Sequence, residues 1–109
     1  MKIENLFSVK DKVVLITGGS RGIGEMIASG FVANGAKVYI TARSKEVVTE
    51  TAEKLSNKYK GNCIAIPSDI SNLKGIEIFV EEIQSKEKSL DVLINNAGAA
   101  WGGSLEDFP

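Results

Sequence analysis

Val13–Thr17 reads VVLIT, an apolar run too short for a buried helix and lacking the polar alternation of a strand with one wet face. A run of this kind suits a parallel sheet covered on both faces. Lys37–Thr41 (KVYIT), Cys63–Ile66 (CIAI, closed by Pro67) and Leu90–Asn95 (LDVLIN) repeat the pattern. Three helical patterns separate them. The first runs to about Asn34, with Ile23, Ile27, Gly30, Phe31 and Asn34 near one face and Gly35 as a stop. The second runs from about Lys45 to Tyr59 with the stripe Val48, Ala52, Leu55 and Tyr59. The third is capped by Ser71 or Asn72 and buries Ile76, Phe79, Val80 and Ile83.

This β-α-β-α-β-α-β order predicts an α/β fold, a Rossmann-like doubly wound parallel sheet. Right-handed crossovers put the first two helices on one face. A fourth strand returning beside the first gives strand order 3-2-1-4 and sends the third helix to the opposite face. The switch point then falls between strands one and four, where the loops after both strands open. Ser104 has the position of an N-cap for a last helix, SLEDFP.

The first of those loops is TGGSRGIG, residues 17–24. A strand ending in a glycine turn that opens a helix aims backbone N–H groups at one point. The helix dipole adds positive character there, and the point favours phosphate. The spacing is G-x-x-x-G-x-G at Gly18, Gly22 and Gly24. It is neither the general dinucleotide fingerprint G-x-G-x-x-G nor a P-loop, which needs G-K-[ST]. On the loop alone, a tight turn with close helix–sheet contact is an alternative reading.

Composition removes other classes. Across 109 residues, 13 basic and 14 acidic side chains leave a net charge of −1, which argues against generic nucleic-acid or membrane-surface binding. No apolar run approaches the ~18–20 residues of a membrane span, and residues 1–12 lack a signal-peptide pattern. The expected location is cytoplasmic. Without histidine, Ser-His-Asp and Cys-His catalysis are excluded from this chain. The one cysteine, Cys63, sits in a buried-strand pattern and reads as an inert core thiol.

T-G-x-x-x-G-x-G after the first strand and N-N-A-G (Asn95–Gly98) after the fourth lie about 70 residues apart. Together they resemble the short-chain dehydrogenase/reductases, from about Phe7 to Pro109. The extended branch of that family would need glycine where Arg21 stands. The resemblance implies roles residue by residue. Gly18, Gly22 and Gly24 would admit the cofactor pyrophosphate. Ser20 and Arg21 would lie by the adenosine ribose and its 2′-phosphate, and Ile23 on the pyrophosphate and nicotinamide side. Asp69 would face the adenine amino group with Ile70 beside it, although Asp69 also suits a plain turn or cap. Asn96, Ala97 and Gly98 would line the cofactor ribose and brace the sheet. Trp101 would either line the pocket or pack under its loop.

The end of the second strand bears on NADP against NAD. An acid there would accept hydrogen bonds from the ribose 2′-OH and repel a 2′-phosphate. This chain has Thr41, Ala42, Arg43 and Ser44 instead, with Arg43 placed 19 positions after Gly24. A guanidinium suits phosphate, and Arg21 offers a second. NADP(H) is therefore expected over NAD(H).

The family's Tyr-x-x-x-Lys pair is absent: Tyr39 is followed four positions on by Arg43, and Tyr59 by Cys63. No catalytic residue can be named. The expectation is one NAD(P)-binding Rossmann domain over 1–109, truncated at its C-terminus, from an NADP-dependent oxidoreductase acting on a carbonyl or alcohol. The resemblance leaves 3-oxoacyl thioesters, sugars, steroids and small ketones open. It implies a small-molecule substrate and a homo-oligomer when intact. The alternative is a non-catalytic nucleotide-binding module or partner protein.

Overall fold

Every apolar run forms a strand and every stripe a helix. The computed structural model describes residues 8–96. In chain order the elements are β1 (Val13–Thr17), α1 (Gly22–Ala33), β2 (Lys37–Ala42), α2 (Lys45–Tyr59), β3 (Asn62–Pro67), α3 (Leu73–Lys86) and β4 (Val92–Asn95). The expected helix after Ser104 lies outside the described residues, as does Trp101.

The strands form one parallel sheet in the order β3-β2-β1-β4. Val13–Thr17 align with Lys37–Thr41, and Val14–Thr17 with Val92–Asn95. Thr17, Thr41 and Asn95 therefore stand side by side at the C-terminal edge. Alternation along β1 divides the core. Val14 and Ile16 join Ala28 and Val32 of α1 and Val48, Ala52 and Leu55 of α2 on one face. Leu15 joins Tyr39, Ile66 and the α3 residues Phe79 and Ile83 on the other. Each fully buried Val, Leu or Ile contributes roughly 1.5–3 kcal/mol. The face carrying two helices therefore holds more of the stabilising burial.

Two expected stripes differ from those observed. The buried face of α1 is Gly24, Ala28 and Val32. Ile27 and Phe31 pack only at its flank, while Ile23 is 63% exposed. Small residues win this face because they let the helix lie close to the sheet. In α3 only Phe79 and Ile83 are buried. Ile76 and Val80 remain exposed.

Boundaries shift less. Pro67 pairs with Ala42 inside β3 rather than following it. The fourth strand starts at Val92, two residues later than expected. There Asp91 clasps β1: its carboxylate accepts from Val13 N at 2.8 Å, and its own N–H donates to Val13 O at 2.9 Å.

Candidate nucleotide-binding site

The glycine loop leaves β1 with Gly18 at φ 71° and enters α1 through Gly22 at φ 61°. Both angles lie in the left-handed region, where a β-carbon costs roughly 1–2 kcal/mol. A β-carbon on Gly22 would meet nothing within 4 Å, so its demand is conformational. Gly24 differs. A β-carbon there would collide with the Gly18 carbonyl oxygen and approach Asn96 Nδ2 to 2.7 Å. Gly24 lets the first turn of α1 pack directly on the loop that precedes it. Gly19, absent from the expected set, has a similar duty, since its β-carbon would lie 2.6 Å from Ile40 Cγ2. Spacing within the motif could not reveal this, because Ile40 comes from the next strand.

The two motifs brace each other. Thr17 Oγ1 donates to Asn95 Oδ1 at 2.9 Å and accepts from Asn96 N at 2.9 Å. Asn96 Nδ2 donates to Gly18 O at 3.3 Å. Asn96 thus holds the turn from the β4 side while Gly24 backs onto it from α1. Thr17 was not among the expected site residues; its signal is its register opposite Asn95. Ala97 and Gly98 lie outside the described residues.

The helix N-termini are treated unequally. Ser44 Oγ caps α2 by accepting from Val47 N at 3.3 Å, and Asn72 Oδ1 caps α3 by accepting from Gly75 N at 2.8 Å. Asn72, rather than Ser71, is the cap. The N-cap of α1 is Arg21, whose side chain makes no capping bond. The first-turn N–H groups of α1 thus keep their dipole without a side-chain acceptor, as an anion site requires. Arg21 and Ile23 are exposed at this mouth. Ser20 is buried, and its carbonyl accepts from Thr51 Oγ1 at 3.1 Å, which fixes the loop to α2.

A groove of about 1130 Å³ runs from this edge along the second sheet face. Gly18, Thr41, Arg43, Ser68, Asp69 and Ile70 line its polar end. Thr41 Oγ1 and Ser68 Oγ share a hydrogen bond of 2.5 Å that joins the ends of β2 and β3. Arg43 is exposed. Asp69 Oδ1 accepts from Ser71 N at 3.0 Å and from Ser71 Oγ at 2.5 Å. Those bonds, aided by the charge of Arg43, hold the Asp69 carboxyl below the usual aspartate value. Asp69 is thus a turn residue by its bonds and a groove residue by its place. The residues fit a dinucleotide phosphate in two respects, an open helix N-terminus and left-handed glycines beside it, and an exposed guanidinium follows the end of β2.

Neither tyrosine hydroxyl belongs to this end. Tyr39 is buried and donates to Glu87 at 2.6 Å, while Tyr59 accepts from Ser29 at 2.7 Å. Among the described residues no acid, histidine or cysteine cluster could hold a metal ion. Burial pushes the Cys63 thiol up to about 12. No described helix is long and apolar enough to cross a membrane.

A sheet ordered 3-2-1-4, with a glycine turn at the switch point, defines a nucleotide-binding α/β protein of the doubly wound class. Residues 12–109 match the short-chain dehydrogenase family model, and the chain belongs to that family. It is 45% identical over 103 residues to the rhamnolipids biosynthesis 3-oxoacyl-[acyl-carrier-protein] reductase of Pseudomonas aeruginosa, covering 94% of this chain and 40% of that protein. The P. aeruginosa RhlG/NADP active-site complex superposes with a TM-score of 0.78 at 44% identity, over 83% of this chain and 36% of that one. L-Sorbose reductase from Gluconobacter frateurii, complexed with NADPH and L-sorbose, gives 0.80 at 31% identity, over 94% and 39%. The chain thus spans about 40% or less of the length of these relatives.

Proposed function

We propose that this chain is the cofactor-binding part of an NADP(H)-dependent oxidoreductase that interconverts a carbonyl and an alcohol. The observation that carries the reading is two exposed guanidiniums after adjacent strands: Arg21 at the N-cap of α1, without a capping bond, and Arg43 after the acid-free end of β2, lining the groove. Gly18, Gly22 and the α1 N-terminus hold the pyrophosphate. Arg43 and Arg21, with Ser20 behind them, receive the 2′-phosphate. Asp69 and Ile70 border the adenine, and Asn96, Ala97 and Gly98 the ribose on the far side. Ile23 faces the nicotinamide half. When bound, the reduced cofactor supplies the hydride.

The solved relatives support the cofactor, since one is a complex with NADP and the other a complex with NADPH. Both tyrosine hydroxyls are engaged elsewhere, Tyr39 with Glu87 and Tyr59 with Ser29, so neither is assigned the proton transfer. Location in the cytoplasm and assembly into a homo-oligomer belong to the same reading.

Charge-assisted hydrogen bonds contribute about 1.5–3 kcal/mol each before solvent discount. One discounted contact still favours NADPH over NADH by roughly tenfold. Titrating the intact protein with NADPH and NADH, then repeating with Arg43→Asp, is the test. The wild type should prefer NADPH and the variant should lose or reverse that preference. Equal wild-type affinities would sink the proposal. A non-catalytic nucleotide-binding module is the competing reading, favoured by the absence of Tyr-x-x-x-Lys between residues 1 and 109. Carbonyl-dependent NADPH oxidation by the intact protein excludes it. The 109-residue chain expressed alone should show no turnover.

A further inference from the structure

α3 is held differently from the other helices. α2 sets four residues into the core, Val48, Thr51, Ala52 and Leu55. Among the described residues α3 sets two, Phe79 at its middle and Ile83 one turn further on. It has 14 residues, a rod of about 21 Å. Among the described residues this pair is the one apolar anchor of the rod, while Leu73, Ile76, Ile78 and Val80 on the same helix stay exposed. Its far end carries the nucleotide site. The first turn of α3 backs onto the Asp69 loop, and Gly75 lies so close that a β-carbon there would collide with the Asp69 carbonyl oxygen. Any tilt of α3 therefore moves Asp69 and Ile70.

Among the described residues, the polar contact that ties α3 to the sheet is made by Glu87, its C-cap. Its Oε2 accepts from the hydroxyl of buried Tyr39 at 2.6 Å and pairs with Lys37 Nζ at 2.5 Å. Both partners belong to β2, the strand that ends beside Arg43. No other α3 side chain among the described residues hydrogen-bonds the sheet. Glu87 is itself about one-eighth exposed, while Lys37 is more open.

We propose that Glu87 is a positioning residue for the nucleotide site: clamped to Tyr39 and Lys37, it fixes the angle of α3 and thereby the adenine wall formed by Asp69 and Ile70. This rests on the nucleotide reading above. Glu87 stands at the opposite end of α3 from Asp69 and acts through the helix and Gly75.

The experiment uses the intact protein and two readouts, amide hydrogen exchange and affinity for 2′,5′-ADP, a probe without the nicotinamide. Glu87→Ala should speed exchange across residues 68–86 by about tenfold or more while 22–33 stay at the wild-type rate. It should weaken 2′,5′-ADP by roughly fivefold. Glu87→Gln keeps an acceptor for Tyr39 and should recover most of both losses. If the alanine variant does not fold, Tyr39→Phe, which removes only the hydroxyl, gives a smaller change in the same two readouts. Unchanged exchange over 68–86 overturns the clamp. Wild-type binding of 2′,5′-ADP with equal binding by Glu87→Ala overturns the positioning role alone. A wild-type protein that binds no 2′,5′-ADP overturns the nucleotide reading, and this role with it.

Discussion

Gly22 and Gly24 are two positions apart in the same loop, yet an alanine would harm them for different reasons. At Gly22 the added methyl has room and only the backbone objects. Gly22→Ala should cost about 1–2 kcal/mol. At Gly24 the backbone is helical and the methyl strikes the Gly18 carbonyl. Gly24→Ala has to push α1 off the loop, at a cost of about 1–3 kcal/mol or more, and should also weaken NADPH binding about tenfold by moving the phosphate mouth. Denaturant unfolding and nucleotide titration of both variants check the contrast; a Gly24→Ala protein with wild-type affinity would contradict it. Spacing alone marks both glycines but cannot tell these duties apart, and it says nothing of Gly19 or Gly75. Those two depend on Ile40 and on the Asp69 carbonyl, which only the fold brings near.

At the scale of elements, strands were more legible than helix faces. Short apolar runs admit one environment, and the observed sheet has the order that right-handed crossovers dictate. Helical stripes left more freedom. In α1 the large residues Ile23, Met26 and Ile27 compete with Gly24, Ala28 and Val32 for the sheet. Close approach decides for Gly24 and Ala28, so in α1 the large apolar residues Ile23 and Met26 stay exposed. The C-terminus of α2 shows another compromise. Lys60 takes the left-handed cap position at φ 51°, directly before Gly61. A glycine fits that conformation without the β-carbon penalty. Lys60→Gly should therefore stabilise the protein by about 0.5–1 kcal/mol, read as a higher thermal midpoint. A lower midpoint would show that the lysine stem contributes more through packing than its backbone costs.

Across the whole molecule, one cluster spans the pH range. Lys37 holds the Glu87 carboxyl below its ordinary 4.5, with help from Tyr39. A carboxylate held low stabilises the fold above about pH 4.5 and loses that contribution as pH falls through its lowered value. The other two groups act at the opposite edge. Glu87 raises Lys37 above 10.5, whereas burial first, and then the bond to Glu87, raises Tyr39 above 10.0. Groups held high contribute fully below those ordinary values and lose the contribution as pH rises through the raised ones. The fold should therefore weaken at both ends of the range through the same three side chains. Tyr39→Phe removes the tyrosine titration and one hydrogen bond, so its loss of stability relative to wild type should shrink above pH 10. Glu87→Gln removes the acid-edge titration, and its deficit should shrink below pH 4.5. Urea midpoints taken from pH 3 to pH 11 for the three proteins measure this. Parallel curves for wild type and Glu87→Gln through the acid range would mean that Asp69, whose carboxyl is also held low by Ser71, carries that edge instead.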